Sequence, residues 1–178
     1  MSPLVLVTVG TDHHPFDRLV RWVDGWLAGD PPPAVRCRMQ TGTSAPPAAA
    51  AAEWERYLSY EALGAAMAEA AAVVCHGGPG TILGVRQAGA VPIVVPRQQR
   101  LGEHVDDHQV AFSRRLAASG GVVLAEREAD LHRLLDRALA DPAAFRAPFQ
   151  ARGTAEAVRE FGRVVGDLLA DHDGRVRR

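Results

Sequence analysis

Leu4 to Val9 is a continuous run of apolar and β-branched residues, and it narrows the possible folds more than any other stretch of the chain. A strand with one wet face alternates apolar and polar residues. A strand that does not alternate is covered on both faces, as inside a parallel sheet sandwiched between helices. Residues 34–40, 72–75, 91–95 and 121–124 read as further strands, the fourth held by Pro92 and Pro96. Between the strands, helical periodicity predicts helices over about 16–27, 61–71, 81–88, 106–118 and 128–139. In the first of these, Phe16, Leu19, Val20, Val23 and Leu27 form one stripe. This alternation predicts an α/β fold, a doubly wound parallel sheet with helices on both faces. Residues 43–52, with two prolines and an alanine run, read as a mobile surface loop, with a short helix as the alternative. No internal repeat and no domain boundary is visible before about Asp141.

Beyond Asp141, residues 155–169 carry Val158, Phe161, Val165, Leu168 and Leu169 on one arc, with charged residues opposite. This predicts a helical extension over 142–171, docked on its own sheet or on a partner, and a disordered tail over 172–178.

Composition excludes several classes of function. With 178 residues, 47% apolar and 23% charged, the chain suits one soluble domain with a real core. A formal net charge of −1 gives no electrostatic reason to bind nucleic acid or an anionic membrane, and only 6% of residues are aromatic. No stretch reaches the ~20 apolar residues needed to span a bilayer. Met1-Ser2-Pro3 leads straight into the first strand without a basic segment, so the expectation is a cytoplasmic protein without a secretory signal. Cys37 and Cys75 fall in separate strands and read as buried free thiols.

The chemistry is concentrated between His76 and Gln109. A buried strand ends at His76, and Gly77-Gly78-Pro79-Gly80-Thr81 opens the next helix. Such a loop lets backbone approach a ligand closely. The free N–H groups of the first helical turn and the helix dipole attract an anion. The carboxyl end of a strand is where open α/β sheets bind ligands. A diphosphate is the natural candidate. The loop lacks the lysine of a P-loop and the G-x-G-x-x-G of a dinucleotide site, and a glycine turn used only for packing remains the alternative.

The longer run is more specific. His76-Gly77-Gly78-Pro79-Gly80-Thr81, Gly89, Pro92-Ile93-Val94-Val95-Pro96, Gly102-Glu103-His104 and Asp106-Asp107-His108-Gln109 together resemble the C-terminal domain of glycosyltransferase family 28. Val7-Thr8-Val9-Gly10-Thr11 and Phe16-Asp17-Arg18-Leu19 are similar to the start of donor-binding subunits of two-subunit glycosyltransferases. The resemblance covers about residues 4–139. It implies a Rossmann-like domain over 1–141, the C-terminal half of a GT-B fold, that binds a nucleotide sugar as substrate, with no cofactor and no protein-bound metal. It also implies an inverting glycosyltransferase of polysaccharide biosynthesis, transferring a hexose or N-acetylhexosamine from an NDP-sugar, a UDP-sugar first among them, to a lipid-linked or glycan acceptor. The acceptor would be held by a partner subunit, either in the cytoplasm or at the inner face of the membrane.

By the same resemblance, Gly78, Gly80 and Thr81 hold the donor diphosphate, with His76 and Gly77 beside it. Gly10 and Thr11 lie near the phosphates or the sugar, and Glu103, Asp107 and Gln109 belong to the donor site. One departure stands out. Where relatives carry a ribose-binding glutamate, this chain has Gly84. That favours a non-catalytic nucleotide-binding or scaffold protein as the alternative, with a self-sufficient homodimeric transferase as the other.

Several residues admit two readings. His13 and His14 are candidate acid–base groups or a solvated pair. His104 and His108 have ligand spacing, but Val105 stands where H-E-x-x-H needs glutamate, so no metal is expected. Trp22 and Trp26 are core or partner surface. Arg97 and Arg100 are phosphate ligands or ordinary surface arginines.

Overall fold

The computed structural model describes residues 2–29 and 35–146. Six parallel strands form one sheet: β1 (Leu4–Thr8), β2 (Arg36–Gln40), β3 (Ala52–Glu55), β4 (Ala72–Cys75), β5 (Ile93–Val94) and β6 (Val123–Leu124). Their order is β3-β2-β1-β4-β5-β6. The helices are α1 (Asp17–Ala28), α2 (Tyr60–Glu69), α3 (Pro79–Gln87), α4 (His108–Ala118) and α5 (Glu128–Ala140). This is the expected doubly wound, Rossmann-like sheet, and its strand order reverses between β1 and β4.

All five residues of β1 are buried, as its unbroken apolar run requires. Successive side chains then serve opposite layers. Val5 and Val7 join α1 and α5 through Phe16, Leu19, Val23, Leu131 and Leu135. Leu4 and Leu6 pack on α2 and α3 through Ala66, Met67 and Val85. Cys75, Ile82, Val94 and Phe112 form a third cluster under α4. Both thiols are free and buried, as expected. Trp26 is core, with Nε1 donating to Asp136 at 2.9 Å, and Trp22 packs against the same cluster.

Two expectations are corrected. Residues 43–51 form neither a free loop nor a helix. Asp17 accepts from the Ala45 N–H, and Asp24 from those of Ala48 and Ala49, so two carboxylates of α1 hold the segment. The segment then enters β3, a strand absent from the pattern reading. Its sequence, Ala-Glu-Trp-Glu, has no buried face, and it exists through parallel backbone pairing with β2.

Helix α4 starts two residues later than expected, at His108; residues 99–101 before it take a 3-10 turn that ends at Gly102 in the left-handed region. A second 3-10 turn, Pro142–Phe145, buries Phe145 in the α1–α5 layer, so the first turn of the predicted extension packs on the sheet. The helix expected over 155–169 and the tail lie outside the described residues. Among the described residues no helix is long and apolar enough to cross a membrane.

Candidate functional site

The loops after β1 and β4 leave the sheet side by side at the point where the strand order reverses, the ligand position of an open α/β sheet. The His76 ring wedges between them. A Cβ on Gly10 would lie 2.4 Å from His76 Cε1, and one on Gly78 would lie 2.2 Å from His76 Nε2. Gly10 also has φ of 82°, so glycine there is demanded twice. Burial, with the nearby Arg97 charge, pushes the His76 pKa down to about 4, and its Nδ1 has no partner. The ring is therefore neutral at pH 7, a spacer between two glycine loops.

Beyond the wedge, α3 begins at Gly78 with Pro79 in its first turn, where a missing N–H is harmless. No side chain caps it and no acidic residue lies in that turn. Gly80 is exposed with nothing within 4 Å of its missing Cβ, and Thr81 follows, half-buried. The turn thus presents uncapped N–H groups and a positive dipole end to open space.

Arg97, read from the sequence as a phosphate ligand or an ordinary surface arginine, is wholly buried. Its Nη1 donates to the carbonyls of His14 and Glu103 (2.8 Å each), and its Nη2 to that of Val9 at 2.7 Å. Its guanidinium also lies 4.8 Å from the Phe16 ring centre. It ties the end of β1, the β1–α1 loop and the loop after β5 into one body.

Glu103 is buried beside it. Oε1 and Oε2 accept from Arg18 at 2.8 and 2.7 Å, and Oε2 also accepts from the Gln98 N–H. Both oxygens are committed to the scaffold. Arg18 donates in turn to the Pro96 carbonyl, which anchors α1 to the loop after β5.

The Asp107–Gln109 pair is split. Asp107 is exposed, accepts from the Gln99 N–H, and lines an open cleft of about 450 Å3 with Gln98, Arg100, Arg114 and Glu126. Gln109 is buried under Gly77, where a Cβ would come within 3.0 Å of Gln109 Cβ and 2.7 Å of Ser113 Oγ. Gln109 Oε1 and Ser113 Oγ have no partner. Of the expected site residues, the fold brings Gly10, His76, Gly77, Gly78 and Gln109 together, with Gly80 and Thr81 one turn away. Thr11 is exposed in the β1–α1 loop.

Asp12 is the residue that sequence reading passed over. Burial raises its carboxyl pKa, but the His14 backbone and ring, with Arg97 and His104, outweigh this and hold it at about 2. His14 donates its N–H to Asp12 Oδ1 at 2.8 Å and places Nδ1 at 2.7 Å. His108 repeats that turn on Asp106. The signal was present as two Asp-x-His triplets.

The profile of the glycosyltransferase family 28 C-terminal domain matches residues 4–160. Comparison with curated proteins gives no match. Solved structures with a similar fold include the glycotransferase of kitacinnamycin, at 17% identity and TM-score 0.61, covering 94% of this chain and 40% of that one. CalG4, the calicheamicin glycosyltransferase, aligns at 17% identity and TM-score 0.59, over 99% of this chain and 41% of its own. MurG of Acinetobacter baumannii aligns at 21% identity and TM-score 0.55, over 81% and 43%. This chain therefore spans about two-fifths of the length of these glycosyltransferases. A match over most of the chain, on a sheet that superposes on one half of those enzymes, makes it a member of the glycosyltransferase family 28 C-terminal domain family.

Proposed function

We propose that this chain is the donor-binding part of a glycosyltransferase and holds a nucleoside diphosphate sugar, a UDP-sugar first among the candidates. The observation that carries the reading is the uncapped first turn of α3, with exposed Gly80 and half-buried Thr81, opening at the β1–β4 switch point. The diphosphate accepts from the N–H groups of that turn and from the Thr81 hydroxyl. The same dipole then stabilises the charge that builds on the leaving diphosphate during transfer.

His76 acts here as a neutral spacer that sets the gap between the two loops. Asp107, in the open cleft, is free to read sugar hydroxyls. The acceptor surface is assigned to a partner or a further domain, in keeping with the larger size of the structural relatives. Transfer is an inverting displacement into the cleft between the two. His13, exposed, and His14, held by Asp12, are this chain's own candidates for a base.

The test is a calorimetric titration of the full chain, alone and with its partner, using UDP, dTDP, GDP and their common sugars. Native-state binding raises stability by about 2.7 kcal/mol at a hundredfold excess over Kd. Selective binding lost in Thr81→Ala and Gly80→Val is expected. Absence of binding both alone and with partner overturns the reading.

A second reading, a nucleotide-binding scaffold that does not transfer, is favoured by Gly84. A Cβ there meets only Met67 Sδ at 3.6 Å, an ordinary contact, so packing does not require glycine in mid-helix. If the ribose lacks its partner for that reason alone, Gly84→Glu tightens nucleotide binding; no gain favours a different ribose contact. Light scattering separates the third reading, a self-sufficient homodimer, from a chain that needs a different partner.

A further inference from the structure

From sequence, His104 and His108 are only two histidines at ligand spacing. The fold carries them to the β1–α1 loop, where Asp12, His13 and His14 wait. Asp12 Oδ1 lies 2.7 Å from His14 Nδ1 and 3.6 Å from His13 Nδ1, and Asp12 Oδ2 lies 3.4 Å from His104 Nε2. The donor atoms of Asp12, His13 and His14 all lie within 4.8 Å of one another. The His14 and His104 ring centres are 6.2 Å apart, so the two rings draw closer when they share one ion.

These separations suit a small dication. Ligand bonds of about 2.0–2.1 Å in a tetrahedron place neighbouring donors about 3.3 Å apart. Imidazole nitrogens with one carboxylate oxygen select zinc-like ions over magnesium or calcium, which prefer all-oxygen shells. The outer contacts are also in place. His104 presents its other nitrogen, Nδ1, to the Asp106 turn, where it accepts from the Asp106 backbone N–H at 3.4 Å and lies 3.3 Å from Asp106 Oδ1, so Asp106 orients the ring. His108 bonds to the same Asp106 oxygen from the far side. The Asp12 and His13 carbonyls accept from Thr43 Oγ1, and the His14 carbonyl from Arg97, so the ligand loop is fastened before any ion arrives. His104, Asp12 and His14 have side chains only 13%, 23% and 23% exposed, whereas His13, at 82%, is free to swing in. The buried Arg97 charge opposes a cation here, and the Asp12 and Asp106 carboxylates nearby offset it, Glu103 being paired with Arg18.

We infer that Asp12, His14 and His104, with His13 or water as the fourth ligand and Asp106 behind His104, form a binding site for a zinc-like divalent cation that clamps the β1–α1 loop to the loop after β5. The site lies beside the proposed donor loop, and its test contains no nucleotide; with the ion bound, His14 is a ligand and the role of base falls to His13 alone.

Cobalt(II) serves as the spectroscopic probe on the tag-free full chain. One Co2+ per chain is expected, with the intense visible absorption of four-coordinate cobalt, displaced by Zn2+. His104→Gln and Asp12→Asn abolish the band. Asp106→Asn weakens binding about 10–100-fold while leaving the band shape, the mark of an outer-shell partner. His132→Gln, outside the cluster, leaves binding unchanged. Circular dichroism checks that each variant folds, and His14→Gln replaces Asp12→Asn if that variant does not. No cobalt band at millimolar metal overturns the inference, as does a band that persists in folded His104→Gln.

Discussion

Arg97 gives the sharpest test, because one of its two sequence readings, the phosphate ligand, and the buried knot in the structure demand opposite outcomes. As a phosphate ligand its loss would spare the fold and abolish nucleotide binding. As the buried knot seen here, its loss strikes stability first. Arg97→Met keeps much of the apolar stem over Phe16 and removes all the donors. The carbonyls of Val9 and Glu103 are then left buried without those bonds, and that of His14 partly so. Each such orphan costs about 1–3 kcal/mol. Relief from burying a guanidinium offsets part of this, which leaves a net loss of about 3–5 kcal/mol, the range seen when one partner of a buried charged contact is deleted. Against a total of about 5–15 kcal/mol this is severe. It lowers Tm by about 6–20 °C for a domain of this size. Arg97→Lys retains the charge but not the planar fork, and recovers less than half of the loss. Urea denaturation followed by circular dichroism reads all three proteins. A loss below about 1 kcal/mol in Arg97→Met refutes the knot, and normal stability with lost nucleotide binding restores the phosphate role.

Three further outcomes follow from the same geometry. His76 has a folded pKa of about 4 against an ordinary 6.5, so the unfolded chain binds the extra proton; its contribution is complete above pH 6.5 and is lost as pH falls toward 4, amounting to about 3 kcal/mol. Denaturant midpoints from pH 7 to pH 4 should fall more steeply in the wild type than in His76→Gln; equal slopes would contradict a buried neutral ring. Gly78→Ala drives a methyl into the His76 ring and loses about 1–3 kcal/mol, whereas Gly80→Ala meets nothing and stays within about 0.5 kcal/mol of wild type. Combining Gly78→Ala with His76→Ala should restore part of the loss in a double-mutant cycle, and strict additivity would deny the wedge. Burial pushes both thiols, Cys37 and Cys75, up to about 12, so neither should react with a disulfide reagent at pH 8 until urea unfolds the chain; rapid native labelling of either would mean that its strand is open.

Elements with a buried face were legible in the sequence, because burial writes a period into the residues. The unbroken run of β1 specified a strand covered on both sides, and the stripe of Phe16, Leu19, Val20 and Val23 specified α1; both occupy nearly the expected residues. The glycine loop was legible for a different reason. Close backbone approach excludes side chains, and the excluded side chains at Gly10 and Gly78 leave a visible gap. What failed to show was whatever has no apolar face. The edge strand β3 is held by backbone pairing with β2 and an Arg38–Glu55 ion pair, and the 43–51 segment by two carboxylates from another element.

The site divides along the same line. Sequence alone determined the apolar and glycine patterns, and with them five of the six strands, the helices and the glycine loop at the carboxyl end of β4. Only tertiary structure decided which polar side chains face which. It sent Glu103 to Arg18, buried Arg97 among three carbonyls, turned Gln109 under Gly77 while Asp107 faced the cleft, and carried His104 ninety-two positions along the chain back to Asp12. The physical reason is range. Hydrophobic periodicity is a property of neighbours along the chain, whereas a charge or a lone pair is satisfied by whatever the fold brings within about 3 Å of it, and that distance carries no trace in local sequence.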